Sequence, residues 1–87
     1  PSEISSITWF LRAAQRGNVS AQTKMAQRNA EGRGMPRNNV AALKWSLLAG
    51  NRGDAKAKKI ANALRARMSK TDIQKATRQS MSWEPTR

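Results

Sequence analysis

Apolar residues at positions 7, 10, 11, 13 and 14 recur at helical spacing between Ile4 and Arg16, and Gly17 follows as a residue suited to left-handed backbone at a helix end. That pattern predicts a first helix. Asn18 is placed to cap a second helix over about 19–30, with Ala21, Met25 and Ala26 on its apolar side. The run Gly32-Arg33-Gly34-Met35-Pro36 stops it, because two glycines and a proline do not extend a helix. Asn38 or Asn39 caps a third helix whose apolar body, Val40 to Leu48, leads to a closing segment at Gly50 to Gly53. Asp54 caps a fourth, with Ala57, Ile60, Ala61 and Leu64 on one face and Lys56, Lys58, Lys59, Arg65 and Arg67 largely in solvent. Ser69, with Asp72 three residues on, reads as a capping box for a fifth helix over about 70–81 that Pro85 terminates. No segment alternates apolar and polar residues for long, so strands are not expected.

The pattern also repeats. An offset of 36 lays Trp9, Leu11, Ala13, Arg16, Gly17 and Ala21 on Trp45, Leu47, Ala49, Arg52, Gly53 and Ala57, and Ile7, Asn18 and Ala30 on Leu43, Asp54 and Ala66. A period of that size belongs to stacked helix pairs. The expected fold is all-α: an α/α solenoid of two antiparallel helical hairpins plus a C-terminal capping helix. Residues 1–87 then form a single repeat domain, with repeat one at about 4–36, repeat two at about 37–67 and the capping helix at about 69–83. Trp9 and Trp45 are expected in the core, since stacked repeats bury that face. Trp83 is expected to fold back against the last helix, with an exposed docking role as the alternative, and Met25, Met35, Met68 and Met81 to fill gaps.

Taken in order, Trp9, Ala13-Ala14, Gly17, Ala21-Gln22, Met25-Ala26, Gly32-Arg33-Gly34-Met35-Pro36, Ala42, Trp45, Ala49, Gly53 and Ala57 resemble the Sel-one-like repeat family, a branch of the tetratricopeptide-like repeats, over about residues 7–64. Each shared position has a physical reading. Small Ala and Gly residues let paired helices approach closely, and Trp fills the wider gap between hairpins. Asn29 departs from the family pattern, which has an aromatic there, and so does Asn38, where the family has Asp. Ile60 and Ala61 mark further drift, of the kind a terminal capping repeat shows. The resemblance implies a protein-binding scaffold whose first helices line a concave groove.

Composition then narrows the chemistry. The chain has no Cys, His or Tyr, which removes disulfides, thiolate and imidazole nucleophiles and the usual zinc ligand sets. Its five carboxylates, Glu3, Glu31, Asp54, Asp72 and Glu84, are scattered without metal-ligand spacing, and Asp54 and Asp72 sit where helix starts favour negative charge. Gly32-Arg33-Gly34 follows a helix and lacks the Lys-Ser/Thr of a phosphate loop. No enzyme activity, cofactor or metal is expected. Neither is a membrane span, since the longest apolar run is Val40 to Leu43. A chain opening on Pro1 reads as a processed form or a piece of a larger protein, and the lack of cysteine fits any compartment.

The surplus of positive charge is the informative remainder. Seventeen basic against five acidic residues give +12, and residues 37–87 alone hold 12 basic and 3 acidic groups. Such a field favours an anionic partner. A helical wheel groups Thr8, Arg12, Gln15 and Arg16 on the first helix, and their offset equivalents are Lys44, Leu48, Asn51 and Arg52. With the groove that the resemblance implies, the candidate partner-binding residues are Arg12, Gln15, Arg16, Lys44, Leu48 and Arg52, Leu48 being an isolated apolar anchor. The expected partner is an acidic protein or peptide. A nucleic acid is the alternative, favoured by the charge but without a recognised reading motif, and an anionic lipid or polysaccharide comes third.

Overall fold

A computed structural model describes residues 3–86, with side chains from Ile7 onward. The chain is all-helical: α1 Glu3–Gln15, α2 Val19–Glu31, α3 Asn39–Asn51, α4 Ala55–Arg67 and α5 Lys70–Ser82, with no strand among the described residues. Four helix starts are fixed by the side chain just before them. Asn18 Oδ1 accepts the Ala21 N–H at 2.8 Å, Asn38 Oδ1 that of Ala41 at 3.0 Å, Asp54 Oδ2 that of Ala57 at 2.8 Å and Ser69 Oγ that of Asp72 at 3.2 Å. Each satisfies an amide that the first helical turn leaves without a partner. Of the two asparagines that could begin α3, Asn38 is the cap.

The 36-residue offset is a repeat of conformation as well as of sequence. α3 begins and ends 36 residues after α1, and α4 begins and ends 36 residues after α2. The turn inside each pair matches in detail. Gly17 and Gly53 take φ of 100° and 99°, a region that side chains resist. Asn18 and Asp54 follow with φ, ψ of −69°, 115° and −74°, 113°. Asn18 N–H donates to the Ala13 carbonyl at 3.0 Å, and Asp54 N–H to that of Ala49 at 3.1 Å. The register then breaks: α5 starts at Lys70, only 31 residues after the start of α3 at Asn39. The cause is the linker, which runs from Gly32 to Asn38 before α3 but is only Met68 and Ser69 before α5.

α3 is the hub, touching α2, α4 and α5, while α1 packs on α2 and α2 also reaches α4. One core cluster joins Ile7, Ala14, Ala21, Met25, Ala26 and Trp45; the other joins Ala42, Leu43, Ala61, Leu64 and Ala76. Partly buried Ile60 borders both. Alanine dominates the buried set, which allows close helix approach and leaves Trp45 as the large side chain that ties α3 to α1 and α2. Buried polar groups are mostly bonded locally: Asn29 Nδ2 donates to the Met25 carbonyl at 2.9 Å and Ser46 Oγ to that of Leu43 at 3.0 Å. Among the described residues, side-chain bonds also link different elements: Gln22 Nε2 in α2 donates to the Ala14 carbonyl in α1 at 3.1 Å. Thr23 Oγ1 in α2 donates to Asp54 Oδ2 at 2.9 Å, so the residue that caps α4 is also held by α2.

Three sequence expectations fail, each for a tertiary reason. Trp9 is 72% exposed whereas Trp45 is 3% exposed. Trp45 has α1 and α2 to pack against, and no described helix plays that part for Trp9. Met81 fills no gap: it is 80% exposed on α5, although Met25 is buried and Met35 and Met68 are partly buried against the two clusters. Trp83 folds onto Trp45 in α3 and the first cluster. It was expected on the last helix.

Candidate interaction surface along the first helices

Arg12 lies in the last turn of α1, and Arg16 and Arg52 stand at matching positions just past α1 and α3. Arg16 N–H donates to the Ala13 carbonyl at 3.2 Å, and Arg52 N–H to that of Ala49 at 3.1 Å. All three side chains are exposed. Cations near helix C-termini also complement the helix dipole, so part of their placement is local.

The other three candidates lie partly buried around one feature. Lys44 Nζ lies 4.2 Å from the centroid of the Trp45 ring, and burial lowers the pKa of its ammonium from the ordinary lysine value. Leu48 packs against the first core cluster, as does Trp83. It is therefore not the isolated apolar anchor expected from the sequence. The Gln15 carbonyl accepts the Thr86 N–H at 2.7 Å.

That bond reveals what lies along this surface. After α5 ends at Ser82, Trp83 is extended at φ −71° and ψ 137°, which suits a segment running into Pro85. The Trp83 ring meets Trp45 edge to face, with centroids 6.2 Å apart and planes at 74°. Its Cη2 is 4.0 Å from where a β-carbon on Gly17 would stand. The tail thus passes from Trp45 on α3 to the C-terminal end of α1. Of the six candidates, Gln15 bonds the tail through its carbonyl, Lys44 lies over the Trp45 ring, Leu48 packs on the cluster that Trp83 also borders, and Arg12, Arg16 and Arg52 are exposed.

Thr86 is the residue that sequence reasoning missed, while Trp83 stands out in the sequence but its contact to Trp45 does not. Pro85 was read as the end of a helix; the same proline favours extended backbone before it, which is the signal for a docked tail. A second aromatic–cation contact lies between α1 and α2, where Lys24 Nζ and the Arg28 guanidinium carbon stand 5.6 and 5.8 Å from the Phe10 ring centroid. On α4, Lys56, Lys58, Lys59, Arg65 and Arg67 are exposed as expected. A hollow of about 260 Å³ lies between α3 and α4, lined by Ser46, Gly50, Lys58, Ala61 and Arg65 among others, and one of about 380 Å³ lies on α5 at Ile73, Gln74, Thr77 and Arg78.

Among the described residues, no helix is long and apolar enough to cross a membrane, and no three acidic side chains group so as to hold a metal ion. Comparison with protein-family models, curated proteins and solved structures gives no match to the chain.

Proposed function

We propose that the chain is a non-catalytic interaction module: two Sel-one-like helical hairpins stacked as a solenoid, capped by α5, that hold an acidic protein or peptide through the surface of α1 and α3. The matching bounds of the two helix pairs and the matching turns at Gly17 and Gly53 support the repeat reading. The observation that carries the functional reading is a charge imbalance on that surface. Arg12, Arg16, Lys44 and Arg52 lie in or just past α1 and α3, whose one carboxylate in sequence is Glu3 at the start of α1. Two of the chain's acids are engaged elsewhere, Asp54 as the cap of α4 and Asp72 in the first turn of α5.

An exposed ion pair contributes only about 0–1 kcal/mol, so affinity requires several cations acting together. It should fall with salt, because exposed charges are screened beyond roughly 10 Å at 0.1 M. The test is titration with a short oligoglutamate peptide and with a single-stranded oligonucleotide at physiological salt. Saturable peptide binding that is lost on combined Arg12→Glu and Arg52→Glu, with helicity unchanged by circular dichroism, is the expected result. Neutralising Lys56, Lys58 and Lys59 should slow association more than it shortens the complex lifetime. A nucleic acid is the second reading, favoured by the exposed cations of α4. Preferential oligonucleotide binding abolished by the α4 changes, with the groove reversals silent, would select it.

A further inference from the structure

We infer that the track beside Trp45 and across the end of α1 is a docking site for an extended peptide carrying an aromatic residue, and that Trp83–Thr86 is its intramolecular occupant. The inference rests on reading the α1–α3 surface as an interaction surface, and it names the form of the partner.

Three observations carry it. Two contacts anchor the tail. Trp83 is partly buried against Trp45 and the first core cluster, whereas Glu84, Pro85 and Thr86 are exposed, and Thr86 contributes its backbone N–H. Next, the acceptor of that N–H is the carbonyl of Gln15, the last residue of α1 and one of the groups a helix leaves without an intrahelical partner. Any extended residue other than proline can supply the donor, so this contact fixes direction and register without reading a side chain. Lastly, Glu84 and Pro85 between the two anchors are exposed, so the track holds the segment at its two ends. Together these give a recognition rule: an aromatic ring against Trp45 and a free N–H three residues after the aromatic.

The geometry also makes the tail a competitor. A tethered segment acts at an effective concentration that reaches millimolar for short flexible linkers, so a free peptide binds the intact chain with reduced apparent affinity. Removing one tail anchor should therefore strengthen binding of a free peptide. Loss of a structural contact alone would not.

The test is fluorescence polarisation with a labelled peptide, Ser-Met-Ser-Trp-Glu-Pro-Thr, copying residues 80–86. It is titrated with the full chain and with its Trp83→Ala and Thr86→Pro variants. The Trp83→Ala chain should bind about tenfold or more tightly than the parent, on the scale of releasing an occupied site. The Thr86→Pro chain, which keeps Trp83 but lacks the N–H, should gain by roughly two- to tenfold, as for loss of one hydrogen bond. A control peptide with Ala in place of Trp should not bind. If both variants bind the peptide no better than the parent, the inference is overturned. Should Trp83→Ala lose its helicity, the Thr86→Pro arm decides alone. Oligoglutamate separates the two readings. Oligoglutamate binding that the tail variants do not change, with no gain for the tail peptide, removes this inference and leaves the acidic-partner reading intact. Tail-peptide binding without oligoglutamate binding does the opposite.

Discussion

Trp9 and Trp45 hold the same register position in helices of equal length, yet one is exposed and the other is the largest side chain of the first core cluster. Their local sequences do not separate them. Both stand two residues before a Leu and four before an Ala, in helices that end in the same turn. What differs is the neighbour. α3 rests on α2, so Trp45 shares a core cluster with Ile7, Ala14 and Met25, and the Trp83 ring meets it edge to face. In a repeated architecture, burial of a residue is set by the unit it faces. Identical motifs can therefore have unequal energetic roles.

The sharpest way to break this comparison is to delete each ring. Trp45→Ala should cost about 3–5 kcal/mol, the scale for losing a large buried aromatic, which is much of the stability of so small a domain. Trp9→Ala should stay within about 0.5 kcal/mol, as surface changes usually do. Urea denaturation of both variants measures the difference. Equal losses would mean that Trp9 is buried in solution and that the two units are energetically alike.

Why were the helices legible in the sequence and this asymmetry not? Each cap is a contact over three residues, Asn18 to Ala21 or Ser69 to Asp72, so it is written in adjacent letters. The left-handed turns at Gly17 and Gly53 are equally local. Exposure of Trp9 depends on what packs against α1, and the docking of Trp83 depends on a contact to Trp45 38 residues earlier in the chain. The groove candidates divide along the same line. Exposure of Arg12 on α1 and of Arg16 and Arg52 at the helix ends is a local matter, whereas the packing of Leu48 on the first cluster and the use of the Gln15 carbonyl by the tail are tertiary.

A smaller contrast lies in the two caps that match at the 36-residue offset. Asn18 caps α2 with one bond to Ala21 N–H, but Asp54 adds a charge at the helix start and accepts the Thr23 hydroxyl as well. Asn18→Ala should cost about 1 kcal/mol and Asp54→Ala about 2 kcal/mol, from loss of the cap, the favourable charge and part of one hydrogen bond. The share due to Thr23 is limited, because its hydroxyl also lies 3.2 Å from the Val19 carbonyl and can turn to it. Thermal denaturation of the two variants would show equal losses if the link from α2 to α4 contributed nothing.

The smallest effect concerns the pair Thr8 and Lys44, which the offset also aligns. Lys44 keeps its charge beside the Trp45 ring, a favourable contact, yet burial dominates and lowers its pKa from the ordinary lysine value. The sign follows from linkage: a lysine easier to deprotonate when folded binds fewer protons in the native state. Its contribution to stability therefore rises as pH climbs from the lowered folded value towards the ordinary one. At neutral pH the folded chain bears the cost of a half-buried charge, and above the ordinary lysine value it does not. Lys44→Met retains the apolar stem and removes the charge, so it should be slightly more stable than the parent at neutral pH, with the gap closing as the solution becomes alkaline. Urea midpoints of the two proteins at pH 7 and across the alkaline range provide the measurement. A gap that widened with pH would mean that the contact with Trp45 outweighs burial, and that Lys44 is held in place as a cation by the ring that Trp83 meets.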